Sequence, residues 1–186
     1  MRVAIFGGTF DPVHSAHLEI AREALDYFHL DQVLFVPAAH PPHKSAHKHT
    51  PYEHRYKMVE LACSGEPRFQ PSRVEEGNER SYSIHTIERL KSQRPQDDWC
   101  FLIGSDAFAD IRTWYRWEDV VRAIHFLVVS RPGHNYYAPP GAHVSRLDNA
   151  LRISSSELRR TLAKGESPRE IPGAVLEYIR ENRLYR

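Results

Sequence analysis

Val3 to Phe6 (VAIF) is a short apolar run, and the stretch GGTFDPVHSAH follows it directly, from Gly7 to His17. The run has the length and composition of a buried strand. Beyond the glycines, Leu18, Ala21, Ala24 and Leu25 recur at helical spacing. A strand, a glycine turn and a helix start within so few residues leave little choice of architecture. Backbone N–H groups and the positive end of a helix dipole converge on one point, which is an anion site and most naturally a phosphate site. Gly7 and Gly8 carry no Cβ, so the chain can turn tightly there and a ligand can lie against the backbone. His14 and His17 stand one turn apart and face the same anion if the helix begins near His14. A Gly-Gly turn alone, or one His at a helix start, is unspecific, and a purely structural turn is the competing reading. Two histidines one turn apart at a glycine-rich helix start are much less common.

Neither a dinucleotide fingerprint nor a P-loop fits this stretch. No third glycine follows at the required place, and there is no Gly-Lys-Ser/Thr. That argues against hydride transfer with a bound nicotinamide cofactor and against a Walker-type ATPase. Lys and Arg total 25 against 24 Asp and Glu, so no global basic field exists and no nucleic-acid partner is expected. A small anionic ligand needs only a local cluster. Cys63 and Cys100 lie in apolar contexts without CxxC spacing, which reads as two reduced, buried thiols in a cytoplasmic protein. No apolar run approaches the roughly 18 residues of a membrane span, and no signal peptide is visible, so no membrane partner is expected.

Along the chain, Gln32–Val36 reads as a second strand, and the spacing from the first suits a right-handed βαβ crossover and a parallel sheet. Residues 37–49 read as a loop. Thr50-Pro51-Tyr52-Glu53 has the form of a capping box with Pro at the first helical position, opening a helix to about Ser64. A short strand is expected near Arg68–Pro71, and a helix capped by Ser81 from Tyr82 to about Gln93. Strands follow at Trp99–Ile103 and His125–Val129, with a helix over Trp117–Ala123 between them. Residues 133–150 show little periodicity. Ser154–Glu157 is a second capping-box pattern, opening a helix to Lys164 with Gly165 as its stop, and a last helix covers about Ala174–Asn182. At 186 residues, this alternation predicts one doubly wound, Rossmann-like α/β domain spanning the chain, with a mainly parallel sheet and helices on both faces. In such sheets ligands bind at the carboxyl ends of strands, where Gly7-Gly8, Gly104-Ser105-Asp106 and Ser130-Arg131 fall.

ISSSELR (residues 153–159) places three hydroxyls at a helix start and Arg159 one turn in, a candidate second anion site beside the reading of an ordinary serine cap. Arg160 is expected to face solvent. Lys44 follows Pro41-Pro42-His43, whose prolines stiffen the loop and lower the cost of holding the ammonium in place; a solvated lysine is the alternative. Asp106 could accept ribose hydroxyls or approach a metal-bound phosphate. Trp114 and Tyr115 offer a flat face and a polar edge to a ring, or serve as ordinary core and rim aromatics. His47-Lys48-His49 could chelate a metal, but no nearby Cys or carboxylate completes a tetrahedral set, so no native metal site is expected.

GGTFDPVHSAH resembles the signature of the HxGH nucleotidyltransferases, specifically the bacterial nicotinate-nucleotide adenylyltransferases. HPPHK (40–44), RSYS (80–83), IGSD (103–106), TWY (113–115), SRPG (130–133) and ISSSELR match that family in order, across nearly the whole chain. Ala16 stands where the family has Gly. It suits a helix, but its methyl would crowd a phosphate held close to that point. The resemblance implies that His14, His17, Lys44 and Arg159 act on phosphates. It further implies that Gly7, Gly8, Thr9, Phe10, Gly104, Asp106, Arg131, Ile153, Ser154, Ser155 and Ser156 contact ATP, the ISSS segment at its outer phosphates. Ser83, Trp114 and Tyr115 would take the nicotinate nucleotide, the carboxylate largely through backbone N–H groups of Ser83, where Thr is usual, and Tyr115.

The implied reaction is attack of the 5′-phosphate of nicotinate mononucleotide on the α-phosphorus of ATP, giving nicotinate adenine dinucleotide (deamido-NAD) and pyrophosphate for NAD biosynthesis. Mg²⁺ would arrive with ATP, without a dedicated protein cage, and a homo-oligomer is left open. A relative preferring nicotinamide mononucleotide is the nearest alternative. Phosphopantetheine is disfavoured by RSYS and TWY. A non-catalytic nucleotide sensor on the same scaffold is the alternative of another class.

Overall fold

The computed structural model describes residues 1–40, 49–77, 80–149 and 154–186. Its centre is a six-stranded sheet in the order β3-β2-β1-β4-β5-β6, every neighbouring pair parallel. The strands are β1 Arg2–Gly8, β2 Gln32–Pro37, β3 Phe69–Pro71, β4 Asp98–Gly104, β5 His125–Ser130 and β6 His143–Asp148. The inner strands are buried on both faces, which is why they read as continuous apolar runs rather than alternating ones.

Two separate cores show that the sheet is doubly wound. Ala4, Phe6, Val33, Phe35, Cys100 and Leu102 face α1 (Ser15–Tyr27), α2 (Tyr52–Cys63), α6 (Ser155–Ala163) and α7 (Gly173–Glu181). Val3, Ile5, Leu34, Phe101, Ile103 and Phe126 face α3 (Ser83–Gln93), α4 (Ser105–Ala109) and α5 (Trp117–Ala123). The chain runs outward from β1 to β3 and then returns to start β4 beside β1. Their carboxyl ends therefore diverge at the point where strand order reverses, the crevice where such sheets take ligands.

Several boundaries differ from expectation for identifiable reasons. Pro51 caps α2 instead of beginning it, because its ψ of 145° is extended. Tyr82, not Ser81, caps α3. Ser81 is spent on His40, accepting that residue's N–H on Oγ at 3.0 Å and donating its own N–H to the His40 carbonyl at 3.1 Å. Ser154 caps α6, but its side chain makes no capping hydrogen bond. The aperiodic stretch contains β6, an edge strand whose half-exposed residues carry little apolar signal. Gly104 ends β4 and at once caps the short helix α4. Cys63 and Cys100 are buried free thiols, and burial pushes the Cys63 thiol up to about 12. Among the described residues no helix is long and apolar enough to cross a membrane.

Candidate active site

Two cavities reach the carboxyl ends of β1 and β4. One, of about 610 Å³, is lined by Gly7, Gly8, Thr9, Ile103, Ser83, Trp114 and Tyr115, among others. The second, of about 540 Å³, is lined by Phe6, His17, Gly104, Asp106, Arg131 and Ser154, among others. Phe6 precedes Gly7 and Ile103 precedes Gly104, so the two cavities lie on either side of the same two strand ends. Gly104, Asp106, Arg131 and Ser154 line the second cavity, whereas Gly7, Gly8 and Thr9, which the resemblance gives to ATP, line the first together with Ser83, Trp114 and Tyr115.

The chain leaves β1 through a crowded turn. A Cβ on Gly8 would sit 3.0 Å from the Phe10 ring, so only glycine fits without moving a buried aromatic. The Phe10 side chain is 2% exposed and packs edge-on against His17 at 5.0 Å and Phe6 at 5.7 Å. It therefore supports the His17 ring from behind instead of lining a cavity. His14 caps α1. Its backbone N–H donates to His17 Nδ1 at 3.2 Å, and the two imidazoles stack with centroids 3.7 Å apart. An Nδ1 that accepts a hydrogen bond carries no proton, so the neutral ring holds its proton on Nε2. Burial lowers the His14 pKa to about 4. Burial, and then the neighbouring His14, hold His17 well below its ordinary value. Both rings are neutral near pH 7, and His17 faces its cavity as an uncharged N–H donor. Ala16 is 4% exposed and belongs to the lining of neither cavity, so its methyl group does not reach into either cavity.

The start of α6 meets the same turn. Arg159 Nη1 donates to the Asp11 carbonyl at 2.7 Å and Nη2 to Ser156 Oγ at 3.1 Å. Ser155 Oγ lies 3.5 Å from the Pro12 carbonyl. Two helix starts distant in sequence, α1 and α6, thus converge at the Asp11–His14 turn, and His17 and Ser154 line one cavity. Across that cavity Arg131 Nη2 and His134 Nε2 lie 3.5 and 3.7 Å from Asp106 Oδ1 on the rim. Arg160 is exposed, as expected. In the other cavity the Trp114 ring stands edge-on to Phe101 at 5.9 Å, and Tyr115 packs on Tyr82 at 4.5 Å. Lys44 and Ile153 lie outside the described residues, as do His47 and Lys48. Among the described residues no three His, Cys, Asp or Glu side chains form a metal-holding group.

Some site-shaping residues escape sequence reasoning. Asp11 is 4% exposed. It accepts the Tyr185 hydroxyl at 2.6 Å and the Thr50 N–H at 3.3 Å, with His49 Nδ1 at 3.4 Å. Burial alone would raise its pKa, but these hydrogen bonds outweigh it and hold the carboxyl below its usual value. Arg55 is 2% exposed inside the protein. A signal for it does exist in the sequence, because Arg55, Met58, Val59, Ala62 and Cys63 fall at the i, i+3, i+4, i+7, i+8 positions of one helix stripe. All five are buried, so a cation heads an otherwise apolar face.

The family model described as "Cytidylyltransferase-like" matches residues 5–161. A probable nicotinate-nucleotide adenylyltransferase of Solibacter usitatus is 58% identical, over all of both chains. One from Pelobacter propionicus is 38% identical over all of this chain and 98% of that one. Among solved structures, Plasmodium falciparum nicotinic acid mononucleotide adenylyltransferase complexed with NaAD has a TM-score of 0.80. It is 22% identical and covers 99% of this chain and 97% of its own, a likeness of fold.

Proposed function

The chain belongs to the nicotinate-nucleotide adenylyltransferases of the cytidylyltransferase-like family, and from that premise we infer that it transfers the adenylyl group of ATP to nicotinate mononucleotide. The observation that carries this reading is the pair of cavities meeting at the ends of β1 and β4, one rimmed by His17 and the α6 start, the other walled by aromatics. ATP takes the His17 cavity. The adenosine lies toward Gly104, Asp106 and Arg131, and the triphosphate lies against His17 and the Ser154–Ser156 helix start. The mononucleotide takes the other cavity, with its pyridine against Trp114 and its carboxylate near the Ser83 and Tyr115 backbone.

In the reaction an oxygen of the mononucleotide 5′-phosphate forms a bond to the α-phosphorus as the bond to the pyrophosphate oxygen breaks. The nucleophile is already an anion, so no general base and no covalent enzyme intermediate are required. Catalysis is then alignment and charge stabilisation. His17 Nε2–H donates to a phosphate oxygen as charge builds there, while His14 packs and orients it. Arg159 and Lys44 stabilise the departing pyrophosphate. The chain offers no cage of its own for a divalent cation among its described residues. Mg²⁺ arriving with ATP would neutralise part of the phosphate charge. The two buried, unpaired thiols fit a cytoplasmic setting.

Pyrophosphate release from ATP with the acid or the amide mononucleotide tests this reading. The acid should be turned over well in preference to the amide. Preference for the amide would move the assignment to the related transferase, and binding without release would make the chain a nucleotide sensor.

A further inference from the structure

Three N–H groups of the buried Arg55 go to three separate segments, two of which border the mononucleotide cavity. Nε donates to the Thr50 carbonyl at 2.8 Å, Nη1 to the Thr9 carbonyl at 2.8 Å and Nη2 to the Ala39 carbonyl at 3.4 Å. Thr9 leaves β1 and lines that cavity, as does Ala38 beside Ala39. The preceding peptide group is held as well, since the Ala39 N–H donates to Glu75 Oε2 at 3.4 Å. Glu75 is buried, lines the same cavity, and accepts the Thr86 hydroxyl at 2.7 Å on its other oxygen. The two peptide groups that flank Ala39 are thus held one by a buried anion and the next by a buried cation. The adjoining residue, His40, is fixed by both backbone and side chain of Ser81.

Such an arrangement is costly to build without purpose. A buried guanidinium requires hydrogen-bond partners, and here backbone carbonyls accept from each of its three nitrogens where an ion pair would offer a carboxylate. Arg55 lines neither cavity, so it acts on the site only through the carbonyls it holds. Thr9 and the neighbour of Ala39 line the cavity that Trp114 lines, and none of the three carbonyl-bearing residues lines the cavity of His17, Asp106 and Arg131.

We propose that Arg55, braced by Glu75, is a positioning residue that sets the wall of the mononucleotide cavity and thereby the affinity for the mononucleotide rather than for ATP. The proposal rests on the functional reading above in its assignment of ligands to cavities. A lysine at this position keeps the charge but cannot serve three carbonyls in a fixed fork.

The test is calorimetric binding to Arg55→Lys of nicotinate mononucleotide and, separately, of a non-hydrolysable ATP analogue, beside the wild-type protein. The expected result is a mononucleotide affinity lower by about tenfold or more, with ATP-analogue affinity within about threefold of wild type. Equal weakening of both ligands, or of neither, would overturn the proposal and leave Arg55 a stability residue. Should Arg55→Lys not fold, Glu75→Gln probes the same residue, Ala39, from the anion side, with the same asymmetry expected and the same equality fatal to the idea. A wild-type protein that fails to bind the mononucleotide would count against the functional reading itself, and both proposals would fall together. A wild type that binds normally, with an Arg55→Lys protein that binds both ligands normally, removes only this one.

Discussion

His17 Nδ1 accepts the backbone N–H of His14 at 3.2 Å, and this one bond decides how the imidazole meets a ligand. It fixes the ring orientation and leaves Nε2–H as the donor. Replacing His17 with Ala removes that donor while leaving the mononucleotide cavity untouched. Turnover should fall by about 10²–10³, the range for one transition-state donor, with the mononucleotide KM nearly unchanged in steady-state kinetics. Full activity in His17→Ala would refute the role.

The low pKa of His14 has a consequence for stability. The group moves from 6.5 in an unfolded chain to about 4 in the native protein because burial disfavours its charged form. The unfolded state therefore binds more protons between those values. Stability is complete above pH 6.5 and declines as pH falls toward 4. His14 should account for about 2 kcal/mol lost between pH 7 and pH 5, and His17 adds to the loss in the same direction. Urea midpoints at the two pH values measure this. A His14→Asn protein should keep a shallower dependence, and an unchanged one would contradict the assignment.

Trp114 carries the apolar side of the mononucleotide cavity. Trp114→Ala should raise the mononucleotide KM by about tenfold through lost stacking and burial, with little change in the KM for ATP. A selective rise in the ATP KM would reverse the assignment of the two cavities.

Tyr185 donates to Asp11 Oδ1 at 2.6 Å across nearly the full length of the sequence. Asp11 in turn offers its carbonyl to Arg159. Removing the hydroxyl in Tyr185→Phe leaves a buried carboxylate short of a donor, a loss of about 1.5–3 kcal/mol, or a melting temperature lower by roughly 3–10 °C. Calorimetry on the two proteins checks it.

The two halves of the site were unequally legible in the sequence. The anion-binding half was visible because helix starts, glycine turns and hydroxyl clusters are local devices, complete within a few residues: His14–His17 and Ser154–Arg159 can be read where they stand. Their convergence could not be read that way, since it depends on α6 returning to the turn after β1. The supporting residues were hidden for the same reason. Asp11 and Glu75 resemble ordinary surface residues until the fold buries them, and Ser81 looked like a cap because its partner, His40, is 41 positions away in sequence. Arg55 was the partial exception, readable as a cation on an apolar stripe. Of the sheet, the inner strands declared themselves by continuous burial, whereas β6, half exposed at the edge, did not.

The central claim is a direct transfer between two nucleotides held in adjoining cavities, with no enzyme-bound adenylate. The stereochemical course at the α-phosphorus measures this most directly, using ATP made chiral there by sulfur substitution and nicotinate mononucleotide as acceptor. A single in-line displacement predicts a dinucleotide with inverted configuration. Retention, which requires two displacements through a covalent intermediate, would contradict the account.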